Sequence, residues 1–122
     1  MEITKIVAAL STIAALNPDG YTVDARTLKP INHGYAVAVA ATQNSFGFEG
    51  LKQVVQYVAT HKETQAYGGW YNSENGQFYF DATIIVATKD EAVKLAKKNN
   101  QIAFYCLHEG KQYDQDGNEI KD

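Results

Sequence analysis

Five of the chain's thirteen tyrosines and phenylalanines and its only tryptophan fall in one stretch, YGGWYNSENGQFYFD, from Tyr67 to Asp81. Rings on neighbouring strands pack across a sheet, and the same rings stack on a flat ligand such as a nucleobase. Cross-strand packing is the simpler account, and two features raise the second use. Gly68-Gly69 lets a ring or a backbone come close beside Trp70, and Asn72 offers a donor and an acceptor to a base edge or a ribose. Arg26, the only arginine, is the natural charge for a diphosphate, because a planar guanidinium engages phosphate oxygens through two donors. A solvated loop arginine is the plain alternative. NSFGFEG, starting at Asn44 and Ser45, spans a strand-to-helix passage, where backbone N–H groups and the positive end of a helix receive phosphate. It matches neither the dinucleotide-binding glycine fingerprint nor a P-loop, and Ser45 as a helix cap with Gly47 as the bend accounts for it more simply.

Catalytic chemistry finds fewer handles. No stretch has the form of a nucleophile elbow or a triad motif. Asp24, Glu49, Glu74 and Asp81 are the carboxylates that could pair as acid and base, and only Asp81 sits in a strand rather than on a solvated surface. His33, His61 and His108 lack metal-site spacing and Cys106 has no cysteine partner, so the expectation is no metal and no cofactor.

The elements that position these residues follow from hydrophobic periodicity. Ile3, Ile6, Val7, Leu10, Ile13 and Ala14 recur at helical spacing, which predicts a helix over 2–16 that ends at Asn17-Pro18-Asp19-Gly20. A short strand at Tyr21 to Val23 leads into a loop. YAVAVAAT, from Tyr35 to Thr42, alternates as a strand does, and Leu51, Val54, Val55 and Val58 mark a helix from about Phe48 to His61. The aromatic stretch reads as two strands, roughly Gln65 to Tyr71 and Gln77 to Ala87, joined by the turn NSENG. TKDE, from Thr88 to Glu91, is a capping box that opens another helix, and QIAFYCLH is the last strand of the core.

The order over 35–108 is therefore βαββαβ, the order of ferredoxin-like folds, in an α+β protein with an antiparallel sheet, two helices on one face and an N-terminal helix ahead of them. The helix side takes Tyr35, Val37, Val39, Phe78, Phe80, Ile84, Ile102 and Phe104. Ala36, Ala38, Ala40, Tyr79, Asp81 and Thr83 line the opposite side, a small and partly polar surface that the N-terminal helix, a second subunit or a ligand could cover. Residues 109–122 read as a hairpin or a loose tail.

Length and composition agree with one domain: 122 residues, 45% hydrophobic and 20% charged. A net charge of −3 argues against a sequence-independent nucleic-acid binder and hence against a duplex partner. One cysteine allows no intramolecular disulfide and fits a reducing compartment. The N-terminal apolar run is broken by Ser11 and Thr12 and follows Glu2, so it reads as a helix of the mature chain rather than a signal peptide, and no run approaches the ~20 residues of a membrane span.

At TQNSFG, GGWYNSENGQFYFD and KKNNQIAFY the chain resembles the phage anti-Thoeris sponge proteins of the first type, small proteins of phages and mobile elements. The resemblance implies a non-enzymatic homodimer or higher homo-oligomer in the host cytoplasm. Such a protein sequesters the cyclic ADP-ribose-type signal of a Thoeris defence system, or a cyclic oligonucleotide signal of CBASS, and leaves it intact. It implies that Trp70 or Phe78 stacks on adenine, that Asn72 and Asn99 read polar edges, and that Arg26 with the Asn44-Ser45 backbone meets the diphosphate. The departure is charge: with one arginine, a ligand bearing two or more phosphates must draw on lysines, backbone N–H groups or a second subunit. The rival expectation is an inhibitor of antirestriction or anti-CRISPR type that binds a host defence protein directly. An enzyme acting on the same signal is a third possibility, but the paired His-x-Ser/Thr motifs of a phosphodiesterase are missing.

Overall fold

A computed structural model describes residues 2–121. The elements run α1 (Ile3–Leu16), β1 (Gly20–Asp24), β2 (Tyr35–Ala38), a 3-10 turn (Ala40–Thr42), β3 (Ser45–Phe46), α2 (Gly47–Thr60), β4 (Ala66–Asn72), β5 (Gln77–Val86), α3 (Lys89–Lys98), β6 (Ala103–Cys106) and β7 (Lys111–Asp114). The protein is α+β, with three helices and one seven-stranded sheet whose pairings are all antiparallel. The main path is β1-β4-β5-β2-β6-β7, and β3 pairs with β5 beside it.

Register decides which side chains meet the helices. Val23 lies opposite Tyr67, Tyr67 opposite Ala82, Ile84 opposite Val37, and Phe104 opposite Tyr113, so these residues share one face. Against that face α1 contributes Val7 and Leu10 and α2 contributes Leu51, Val54 and Val55, packed with Val23, Tyr67, Phe80 and Ala82. A second cluster joins Ala92 and Ala96 of α3 to Val37, Phe104, Cys106 and Tyr113. Small alanines let α3 lie close over large strand residues, and apolar burial of this kind is the main stabilising term.

Several expectations are corrected here. Three helices, not two, cover the helix side, because the Val7–Leu10 stripe of α1 needs an apolar partner and finds it beside α2 and β1. The opposite side, expected to be small and partly polar, carries Phe46, Trp70, Tyr79 and Tyr105 among its alanine, threonine and aspartate, and no helix of the described residues covers it. Ile102, expected in the core, is 80% exposed, since it precedes β6 in a bend. The strand expected to reach Thr42 stops at Ala38 and turns into the 3-10 segment, where the Thr42 hydroxyl accepts a bond from the Ala82 N–H. Residues beyond Glu109 form a hairpin strand, β7, that buries Tyr113 over Phe104. No helix among the described residues is long and apolar enough to cross a membrane.

Candidate functional site

The helix-free face carries a row of rings. Tyr79 of β5 lies opposite Trp70 on one side and Phe46 on the other. The Trp70 and Tyr79 rings stack with centroids 5.1 Å apart and planes 19° apart, and Phe46 tilts toward Tyr79 at 5.6 Å. Asn75, in the hairpin turn, donates to the Tyr79 hydroxyl at 2.7 Å and so holds the central ring from the end of the sheet. Trp70 and Phe46 are 46% and 48% exposed, so each keeps a free surface for a further ring.

Asp81 follows Tyr79 on the same face, opposite Gly68. A Cβ at residue 68 would fall 2.5 Å from Asp81 Oδ1, so the glycine is what makes room for the carboxyl. Burial pushes the Asp81 carboxyl up to about 6, partly offset by the Thr83 hydroxyl, which donates to Oδ1. At pH 7 it is mostly ionised and accepts hydrogen bonds. The strand positions on this face include Thr22, Asp24, Ala36, Ala38, Ala66, Tyr79, Ile85, Tyr105, Gln112 and Asp114, and no lysine or arginine. Stacking surface and a negative acceptor suit a planar group with an amine or amidine edge.

The seven residues singled out in the sequence do not converge. Trp70 is on the open face, whereas Phe78 is on the helix side, stacked on Tyr21 at 6.0 Å, so the two cannot sandwich or share one base. Phe78 instead lines an apolar groove of about 330 Å3 with Ser11, Ala14, Phe48 and Gln77, which offers phosphate no charge. Ser45 is buried on the helix side in β3 and does not cap α2, whose N-cap position is Phe46; Gly47 makes the bend at φ +71°. Asn44, in left-handed backbone at φ +65°, adjoins the Phe46 end of the ring row. Asn72 Oδ1 accepts from the Glu74 N–H at 2.9 Å, which commits that oxygen to the turn. Asn99 Nδ2 donates to the Leu95 carbonyl at 3.1 Å and closes the end of α3. Arg26 is exposed beyond the Asp24–Ala66 end of the β1–β4 ladder, while Trp70 sits at the Gly20 end. Its backbone N–H, with that of Thr27, binds Asp24 and holds that carboxyl below its usual range.

Two groupings escape a reading along the chain. Phe46 joins Tyr79 only because the two-residue β3 pairs with β5. His33 and His108, distant in sequence, have ring centroids 4.5 Å apart, and His108 stands with Cys106 and Glu109 in a cluster whose ligand-type atoms all lie within 4.8 Å. The short Cys-x-His-Glu spacing at Cys106 was the available signal for the second.

No family model matches the chain, and no curated protein and no solved structure matches it either.

Proposed function

We propose that the protein binds a ligand rather than converting one, and that the open sheet face holds a planar, amine-bearing group such as adenine. The observation that carries this is the ring row in which Trp70 stacks on Tyr79 and Phe46 tilts against it, with Asp81 beside it. Adenine would stack on the free side of Trp70 and direct its exocyclic amine to the Asp81 carboxylate, which lies over Gly68 of the Trp70 strand. Base stacking on one aromatic side chain contributes about 1–3 kcal/mol, and a bond to a charged acceptor about 1.5–3 kcal/mol.

The ligand class that fits the resemblance is a cyclic ADP-ribose-type or cyclic oligonucleotide immune signal, held intact by a phage counter-defence protein in the host cytoplasm. Sequestration demands affinity near nanomolar, about 12 kcal/mol, without turnover. One exposed ring row falls short of that, and the strand positions around the rings carry no cation for phosphate. Both deficits favour a homodimer or higher oligomer that encloses the ligand and brings Lys or Arg from its rim, with the Asn44 backbone at the near edge. The four central strands in the order β4-β5-β2-β6, with α2 and α3 as crossovers, support a ferredoxin-like core extended by α1, β1, β3 and β7.

The test is capture. Purified protein is incubated with cyclic ADP-ribose isomers and cyclic di- and trinucleotides, washed and heat-denatured, and the released material is identified. Intact nucleotide is the expected result, reduced at least about tenfold in Trp70→Ala, which removes ~1.4 kcal/mol or more of stacking. Cleaved product would indicate an enzyme. No capture by a folded protein overturns the nucleotide reading and leaves the same face for a host defence protein.

A further inference from the structure

We propose that Cys106, His108 and Glu109, beside the ring of His33, form a binding site for a thiophilic divalent cation such as Zn2+ at the end of the sheet away from Trp70. The site is independent of the ring row. Cys106 Sγ and His108 Nε2 are 3.4 Å apart. Zinc bonds of about 2.3 Å to sulfur and about 2.0–2.1 Å to nitrogen, at a tetrahedral angle, separate those two ligand atoms by roughly 3.5 Å, so this edge of the tetrahedron already stands. The Glu109 carboxylate lies within 4.8 Å of both. His33 sets its ring 4.5 Å from that of His108, and the remaining corner is left to water or to a turned His33 side chain. Sulfur, imidazole and carboxylate together are a borderline-soft set that suits Zn2+ or Co2+ rather than Mg2+ or Ca2+.

The surroundings divide into a rigid and a movable part. Cys106 is fully buried at the end of β6, beneath the α3 cluster. His108, Glu109 and His33 are exposed, so they can turn around an ion arriving from solvent. The Tyr113 hydroxyl donates to Glu109 Oε1 at 2.7 Å, orienting the carboxylate as an outer partner of a metal ligand does. Tyr35 sets its ring edge-on to His108 at 5.5 Å and walls the site on the core side.

Binding exchanges protons in a defined way. The Gly34 N–H donates to His108 Nδ1 at 3.2 Å, so the neutral ring carries its proton on Nε2, facing the sulfur. The ion displaces the thiol proton to solvent and moves the ring proton from Nε2 to Nδ1, leaving Nε2 free to ligate. Nδ1–H then faces a donor, and the relief is a turn of the 33–34 peptide that presents the His33 carbonyl in place of the Gly34 N–H. Glycine at 34 holds its present φ of +98° without the strain a side chain would bring, and so is free to occupy both peptide orientations.

The experiment is titration of the full chain with Co2+ and then Zn2+. Expected are one ion per chain, a near-ultraviolet thiolate-to-cobalt absorption band with the visible bands of tetrahedral cobalt, and loss of all of them on adding Zn2+. Cys106→Ser removes the thiolate band. His108→Ala and Glu109→Ala, both at exposed positions, weaken binding at least about tenfold, and His33→Ala weakens it by a smaller factor. His61→Ala, on the outer end of α2, leaves binding unchanged. Absence of the thiolate band with cobalt in excess, or a band and affinity unmoved by His108→Ala in a protein of normal melting temperature, overturns the proposal.

Discussion

Gly68 and Gly69 sit back to back in β4 and make room on opposite faces of the sheet. The first accommodates the Asp81 carboxyl and Thr83 hydroxyl on the open side; the second accommodates the Tyr21 and Phe78 rings on the helix side. The sequence reading took the pair as access for a ring, which is right for Gly69, but the ring is the protein's own Tyr21. Only cross-strand register tells a ligand from a neighbour, and register is not written in either glycine. Tyr21 has its hydroxyl buried among the described residues without a partner, and burial pushes its ionisation well up. The Asp81 carboxyl carries a cost of its own. Its folded value of about 6 lies above the ~3.9 of an unfolded aspartate, so between these values the folded state keeps a proton that the unfolded state has released. Stability therefore falls as pH rises through that window, and the whole penalty is present above it. Asp81→Asn keeps an acceptor for the Thr83 hydroxyl and removes the charge. It is expected to raise stability at pH 7 by on the order of 1–3 kcal/mol and to flatten the fall between about pH 4 and 6, as read from urea midpoints at the two ends. An unchanged midpoint at pH 7 would show that the carboxylate is solvated in the folded chain.

At the scale of elements, local chemistry was legible and pairing was not. Half of the Thr88 capping box forms: the Thr88 Oγ1 accepts from the Glu91 N–H at 3.2 Å, and Glu91 Oε1 reaches back to the Thr88 hydroxyl, which donates to it at 3.0 Å. Asp90 and Glu91 in the first turn and Lys97 and Lys98 in the last complement the helix dipole of α3. Thr88→Ala should cost about 1 kcal/mol in a urea or thermal titration, and Thr88→Ser should recover most of it. A loss near zero would mean that α3 is held by Ala92 and Ala96 alone. The sheet edges are a different matter, because their protection comes from short returns of the chain that lack hydrophobic periodicity. The loop after β1 folds back so that the Ile31 N–H meets the Thr22 carbonyl and Pro30 bridges Val23, while the segment after β7 returns to place Glu119 against Tyr113 and the Ile120 N–H on the Gln112 carbonyl. Each edge thus gives up part of its free backbone to the chain itself, which blunts edge-to-edge pairing. The periodicity of Tyr35 to Cys106 predicts the central strands and the helices; the two short returns carry no period to read.

At the scale of the whole molecule, blunted edges and three helices on one side leave the helix-free face as the surface on which copies can meet. Phe46, Trp70 and Tyr105 are exposed there, and a net charge of −3 opposes contact only weakly at physiological salt. Burying the rings of two copies against each other also buries two Asp81 carboxyls without a cation at the neighbouring strand positions, and an unpaired charge taken out of water is costly. Association through this face should therefore be tighter when Asp81 is protonated. The expected outcome is self-association measured by sedimentation equilibrium, stronger at pH 5 than at pH 7.5 by about tenfold or 1.4 kcal/mol. Asp81→Asn should remove that pH difference, and Trp70→Glu should leave the chain monomeric at both values. An amine-bearing ligand that satisfies both carboxylates would restore the pH 5 affinity at pH 7.5, which ties the oligomer to the ligand through one residue. A wild-type chain that stays monomeric across this range would leave a ligand on this face no enclosing partner, and the nanomolar affinity that sequestration demands would then have to come from some other surface.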